Sequence, residues 1–225
     1  MVAFDYAPAP ESRAIVDIKP SYGLFIDGSF VDPADGTQFK TVSPASEEVL
    51  AEIAEAGPAD VDRAVRAARK AYEKVWGPMP GAERAKYLYR IARIIQERAR
   101  ELAVLESLDN GKPIRESRDV DVPLAAAHFF YYAGWADKLR YSGFGDTPLG
   151  VAGQVIPWNF PLLMLAWKIA PALAAGNTVV LKPAETTPLS ALVFAEICQQ
   201  AELPPGVVNI VTGAGATGGA LVNHP

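Results

Sequence analysis

The sequence predicts an α/β fold: a parallel sheet with flanking helices, preceded by an N-terminal strand and helix region. Three observations carry this. From residue 150 onward, short uninterrupted apolar runs alternate with helical stretches, the pattern of strands buried on both faces. Before that, segments 59–75 and 82–108 place apolar residues at helical spacing. Half of the 225 residues are hydrophobic and 21% are charged, which supports a core and excludes disordered, collagen-like and coiled-coil chains.

Residues 1–21, rich in Pro and Ala, read as an extended arm. Asp27-Gly28, flanked by Leu24, Ile26, Phe30 and Val31, is a two-residue hairpin signal, and 39–42 and 49–54 read as further strands. A helix over 59–75 places Val61, Ala64, Val65, Ala68, Tyr72 and Val75 at helical spacing. One long helix is expected over 82–108, with Leu88, Ile91, Ile94, Ile95, Ala99, Leu102 and Leu105 as its stripe and Asn110-Gly111 as its stop. A third helical stretch, 113–139, is kinked or split by Pro123. There His128 sits among Phe129, Phe130, Tyr131 and Tyr132 and reads as a packed or capping residue. Strands follow at 150–156, 178–181 and 207–211, with helices at 161–175, 188–201 and 216–222.

The acidic balance, 21 Lys+Arg against 26 Asp+Glu, gives no support to nucleic-acid or polybasic membrane partners. The most apolar stretch, 161–176, is interrupted by Lys168 and by prolines, and is too short to span a bilayer. The single cysteine fits a reducing, cytoplasmic setting. Cys198, His128 and His224 are too scattered for a metal site, so none is expected. Neither a G-x-S-x-G elbow nor an H-E-x-x-H pair occurs.

Ligands of parallel sheets gather at the carboxyl ends of strands, so the loops after the three strands carry the functional reading. In the first, Ile156-Pro157-Trp158-Asn159-Phe160-Pro161, two prolines stiffen a turn that aims Asn159. A fixed amide there either stabilises an oxyanion, worth roughly 3–4 kcal/mol per donor, or caps the following helix. In the second, Lys182-Pro183-Ala184-Glu185, the charged pair either meets a nucleotide ribose or is a surface ion pair of little weight. The third, 213–218, matches G-x-G-x-x-G literally, yet no acidic residue follows about twenty positions on. Cys198 lies among Leu192, Phe194, Ala195 and Ile197 with no His or Lys nearby, and reads as a core residue rather than a nucleophile.

Together, the run from Gly150 to Pro161, Ala166-Trp167-Lys168 with the helix around it, 175–185 and 204–213 closely resemble the aldehyde dehydrogenase superfamily. Phe25-Ile26-Asp27-Gly28, Thr41-Val42-Ser43-Pro44 and 108–113 fit the same family, and the likeness covers about 23–225. It implies a Rossmann-like sheet and NAD(P)-dependent oxidation of a small-molecule aldehyde to a carboxylate. In that scheme a cysteine thiolate attacks, hydride passes to the nicotinamide and a glutamate-activated water releases the acid. Asn159 resembles the oxyanion-stabilising amide. Ile156, Pro157 and Trp158 resemble cofactor contacts, and Lys182 to Glu185, with Pro183 and Ala184, the ribose segment. Glu185 leans the choice to NAD, with NADP as the alternative. Gly215, Ala216 and Gly219 resemble the floor of the adenine site, displacing the pyrophosphate-cradle reading. Phe160, Leu163, Met164 and Trp167 resemble one wall of the aldehyde tunnel.

The family's chain is about twice as long. The resemblance therefore implies a truncated fold, with 22–225 an incomplete NAD(P)-binding domain and the catalytic domain, with its cysteine and glutamate, absent. It also implies that 140–149 is a shortened link where the family has an oligomerisation hairpin. Two readings follow. In one, the chain is the cofactor half of an aldehyde dehydrogenase, inactive alone, completed by a second chain or by the rest of a parent enzyme that is a homo-oligomer. In the other, it is a non-catalytic nucleotide-binding or interaction remnant.

Overall fold

The computed structural model describes residues 12–143 and 147–225. The first half of the expected arm, 1–11, and positions 144–146 of the expected link lie outside the described residues. From Ser12 the arm makes a 3-10 turn at Arg13–Ile15 and ends by pairing, since Ser21 already belongs to strand β1 (Ser21–Tyr22).

Two sheets organise the described residues. In the smaller, β1 runs parallel to β5 (Val49–Ala54), which pairs antiparallel with β4 (Gln38–Val42). The larger has the order β3-β2-β8-β7-β6, from β2 (Leu24–Ile26), β3 (Ser29–Val31), β6 (Val151–Val155), β7 (Thr178–Lys182) and β8 (Val208–Ile210). Strands β6, β7 and β8 are parallel, as their unbroken apolar text predicts.

The N-terminal hairpin does not precede this sheet as a separate region. β2 joins β8 antiparallel, with Phe25 opposite Ile210, so the sheet is mixed. The hairpin turn itself is as read, with Asp27 (φ 53°) and Gly28 (φ 81°) both left-handed. Asn209 fastens the hairpin to the sheet. Its Oδ1 accepts from Asp27 N (3.0 Å), while Nδ2 donates to the carbonyls of Gly206 (2.8 Å) and Val179 (3.2 Å).

Side chains alternate across the sheet and sort the helices into two layers. Leu24, Ile26, Val180 and Val211 pack with α1 (Pro58–Ala71) and with Leu221 of α8 (Gly215–Val222). Phe25, Val179, Leu181 and Ile210 face the larger core. That core is built from α2 (Gly81–Glu97), α3 (Ala99–Asn110), α5 (Val122–Trp135), α6 (Pro161–Ala174) and α7 (Leu189–Gln200). α4 (Ile114–Glu116) is a single turn between α3 and α5.

Three helices depart from the sequence reading. α1 ends at Ala71 and continues as a wider π turn, Tyr72–Trp76. That turn brings Trp76 into the core, fully buried, with its indole N–H on the Leu173 carbonyl (3.1 Å). The single helix expected over 82–108 is two, because Arg98 (φ −95°, ψ 14°) leaves helical geometry. Its guanidinium holds Glu101 (2.6 Å) and, on α7, Glu196 (3.2 Å), so the bend is tied to a neighbouring helix. The third stretch is helical without a break from Ile114 but widens into a π turn at Ser117–Asp121, and Pro123 follows directly in the first turn of α5.

His128 packs as expected. It is half-buried, its Nδ1 lies 2.8 Å from the Leu124 carbonyl, and its ring is 5.8 Å from that of Trp167.

Candidate functional site

β7 sits at the centre of the parallel strands and is buried at all five positions, so its carboxyl end can only open into the loop beyond it. That loop, the end of β6 and the start of α8 enclose an open cleft of about 570 Å³, within the usual range for small-molecule sites. Ile156, Pro157, Lys182, Ala184, Glu185, Gly215 and Gly219 all line it. Seven positions scattered over 64 residues of sequence thus converge on one surface, where the strand ends meet.

The Lys182–Glu185 pair is not a surface ion pair. Lys182 is 3% exposed, and its Nζ donates to the Gly213 carbonyl (2.6 Å) and to Glu185 Oε2 (3.3 Å). The Glu185 side chain, by contrast, is 49% exposed and available to a ligand. A hydrogen bond from its own backbone N–H holds its carboxyl below the ordinary range, with burial opposing it and the Lys182 ammonium adding to it. It is therefore an anion with accepting oxygens at neutral pH. Lys182 acts mainly as a strut, joining the β7 end to the turn before α8.

That turn is fixed by Gly213, whose φ of +149° suits glycine and whose missing Cβ would lie 2.1 Å from Thr217 Oγ1. Thr217 itself donates to the Ala56 carbonyl (2.7 Å). Gly215 and Gly219 have open space where a side chain would project, so the floor of the cleft is bare backbone. Ala216 is exposed but does not line the cleft, while Gly218, Val155, Val222 and Asn223 do.

Asn159 lies two residues beyond the cleft wall, on the turn between β6 and α6. It is exposed and does not cap the helix, because the N-cap position is Phe160 and no side chain bonds there. Of the two roles the sequence leaves open for this amide, capping is removed. The turn is gripped from below by the end of α3. Asn110 Nδ2 donates to the Trp158 carbonyl, Lys112 Nζ to the Asn159 carbonyl (3.1 Å), and Leu162 N donates to Glu106 Oε2 (3.3 Å). The Lys112 ammonium also sits 4.2 Å from the Phe160 ring centre and pairs with buried Asp121. Sequence reasoning treats Asn110-Gly111 only as a helix stop, and Gly111 is one, with φ 81°. The side chains on either side of that glycine are what the reading missed.

Phe160, Met164 and Trp167 follow one another along the accessible side of α6, with Trp167 43% exposed. Leu163 differs from them, since it is 3% exposed and belongs to the core. Trp158 is 61% exposed and, like Pro183, does not line the cleft. Cys198 is buried in α7, and burial pushes its thiol far above the ordinary range. Among the described residues no cluster of three or more His, Cys, Asp or Glu side chains is placed to hold a metal ion, and no helix is long and apolar enough to cross a membrane.

The chain matches known proteins over most of its length. A family model described as aldehyde dehydrogenase family covers residues 30–225. Aldehyde dehydrogenase family 2 member B4, mitochondrial, of Arabidopsis thaliana is 50% identical over 213 residues, spanning 89% of this chain and 40% of its own. Benzaldehyde dehydrogenase, mitochondrial, of Antirrhinum majus is 48% identical across 97% of this chain and 44% of its own. Among solved structures, an NAD+ complex of aldehyde dehydrogenase from Bacillus cereus superposes with a TM-score of 0.86 at 45% identity, covering 93% of this chain and 47% of that one. The chain thus spans less than half the length of these relatives. A family match over 196 of the 225 positions (30 to 225), on a fold that superposes this well, identifies the chain: it belongs to the aldehyde dehydrogenase family.

Proposed function

We propose that this chain forms the cofactor site and supplies the oxyanion donor of an NAD-dependent aldehyde dehydrogenase. The observation that carries the reading is the cleft at the β6, β7 and α8 junction, where an anionic Glu185, fixed by a buried Lys182, faces a floor of bare glycine backbone. NAD, when bound, accepts the hydride that leaves the substrate carbon. Glu185 accepts hydrogen bonds from the two ribose hydroxyls, and its negative charge disfavours a 2′-phosphate, so NAD is preferred over NADP. Gly215 and Gly219 let the adenosine lie against the α8 backbone, and Ile156 and Pro157 form the opposite wall.

Asn159 donates its side-chain N–H to the oxygen that becomes anionic when a nucleophile adds to the aldehyde carbon, and so lowers the barrier to addition. Phe160, Met164 and Trp167 offer apolar surface to the aldehyde. Cys198 is not the nucleophile, because a thiol held neutral inside α7 neither ionises nor meets a substrate. The attacking thiolate and the base that activates water belong to the remainder of the family's architecture, in a longer chain or in a partner. The 225 residues are therefore expected to bind NAD without turning over aldehydes.

Calorimetric titration of the 225-residue chain with NAD tests this. Heat of binding and a concentration-dependent rise in melting temperature are expected. Glu185→Gln should weaken binding about tenfold or more, the loss of charge-assisted hydrogen bonds being worth about 1.5–3 kcal/mol, and should narrow the gap between NAD and NADP. No heat and no thermal protection at millimolar NAD would sink the cofactor reading and leave a remnant with an interaction role.

A further inference from the structure

Pro157 and Pro161 stiffen the ends of the turn that carries Asn159, but the three residues between them have no such restraint of their own. Trp158 and Phe160 are both substantially exposed, and the helix that follows begins without a side-chain cap. Ile156 N donates to the Lys182 carbonyl (3.1 Å) where the turn begins and Met164 N to the Phe160 carbonyl (2.8 Å) where it ends, but the side chains that hold its middle come from one place, the end of α3 and the segment just after it. Asn110 and Lys112 hold two successive carbonyls, of Trp158 and Asn159, and Glu106 holds the N–H of Leu162 in the first turn of α6. These three side chains span only seven residues of sequence, and all three reach the same turn. They hold backbone atoms, so they set the direction in which the Asn159 side chain leaves the chain without competing for its amide.

Lys112 is the centre of this arrangement. Its side chain is only 13% exposed, and its ammonium is shared between the Asn159 carbonyl, the Phe160 ring face and the carboxylate of Asp121, which is 1% exposed. A lysine serving only to neutralise Asp121 would not need the other two contacts. Gly111 brings it there: the left-handed residue ends α3 and turns the chain, and its missing Cβ would lie 2.6 Å from Pro44 Cγ, so another residue would force that turn apart.

We propose that Lys112, with Asn110 and Glu106, is the positioning device of Asn159, holding the oxyanion turn by its backbone so that the amide is aimed before substrate arrives. The proposal rests on the assignment of Asn159 as the oxyanion donor. None of the three touches the reacting atoms; they act through the turn, as preorganisation requires when a donor must meet a charge that appears only in the transition state.

Nitrogen-15 relaxation of the labelled 225-residue chain reads the effect without aldehyde turnover. In the parent chain the backbone amides of Asn159 and Phe160 should show the order of a rigid segment, about 0.85, and in Lys112→Met they should fall below about 0.6. Glu185 and Lys182 should keep their resonances. Removing only the lysine leaves Asp121 buried without its counter-charge, so Lys112→Met combined with Asp121→Asn is the deciding variant. A purely structural salt bridge would be made good by removing both charges. A positioning lysine would not, so the double variant should stay folded with a mobile turn, and Lys112→Arg should restore order. A rigid Asn159 in the double variant overturns the proposal, as does a turn equally rigid in Lys112→Met. Addition of NAD separates this from the cofactor reading. Absent NAD-induced shifts at Glu185 overturn that reading, while the order parameters alone decide the role of Lys112.

Discussion

Glu106 and Asp109 are carboxylic acids held out of water near the end of α3, and each is pushed upward mainly by burial, Glu106 to about 8 and Asp109 to about 7. Asp121 adds to the shift at Glu106 and Lys112 opposes it, while hydrogen bonds from Thr41 (2.7 Å) and Leu189 N (2.8 Å) restrain Asp109. In the unfolded chain both acids titrate at ordinary values, so between those values and pH 7–8 the folded state binds more protons. Their contribution to stability is complete below the unfolded values and is lost as pH rises through the folded ones. The urea midpoint should therefore fall between about pH 4.5 and pH 8, and Glu106→Gln should flatten that fall. The carboxylates with lowered values, such as Glu185, titrate below this window and leave it undisturbed. Cys198 lends itself to a simpler check. Its thiol should resist a thiol-specific reagent in the native chain and react promptly in urea, and prompt reaction in the native state would contradict its placement in the core. The core status of Cys198 was legible because Leu192, Phe194, Ala195 and Ile197 precede it in the same helix and no His or Lys lies near it. The grip of Lys112 was not, because the group it holds is 47 residues away and no local pattern marks that distance.

Among the elements, those whose conformation is decided locally follow the sequence closely. The β2–β3 hairpin needs two left-handed residues and has Asp-Gly, and β7 needs burial on both faces and reads Thr-Val-Val-Leu-Lys. The break between α2 and α3 behaves differently. Apolar spacing continues through Arg98, so periodicity alone extends one helix across it, while the bend falls where Arg98 pairs with Glu101 and, across to α7, with Glu196. The same reasoning explains the hairpin's destination. Strand text in β2 shows that it must pair, yet nothing in that text names β8, which fastens the hairpin through Asn209, a buried polar residue in an otherwise apolar strand. Asn209→Ala removes an acceptor from Asp27 N and donors from two carbonyls, and should destabilise the chain by about 2–4 kcal/mol. Urea denaturation measures this, and a change below about 0.5 kcal/mol, the size expected of an ordinary surface substitution, would show that the hairpin is held by packing alone.

At the level of the whole molecule, the candidate site gathers at the seam where the parallel strands end, and its parts come from three separate stretches of chain: 155–157, 182–185 and 215–223. The loops themselves were readable, since the βα alternation says where strands stop. Their mutual geometry depends on strand order, which local text does not encode. A second consequence of strand order concerns synthesis. The hairpin leaves the ribosome early, but the side chain that anchors it, Asn209, follows 182 residues behind Asp27. At a synthesis rate of roughly 5–20 residues per second, that is a wait of about 10–40 s. During that interval Leu24, Phe25 and Ile26, all nearly fully buried in the finished fold, have no sheet to join. The nascent chain therefore carries an unsatisfied apolar strand until Asn209 has been made, and shielding it in that window, by a chaperone or by the ribosome surface, is a demand set by topology alone.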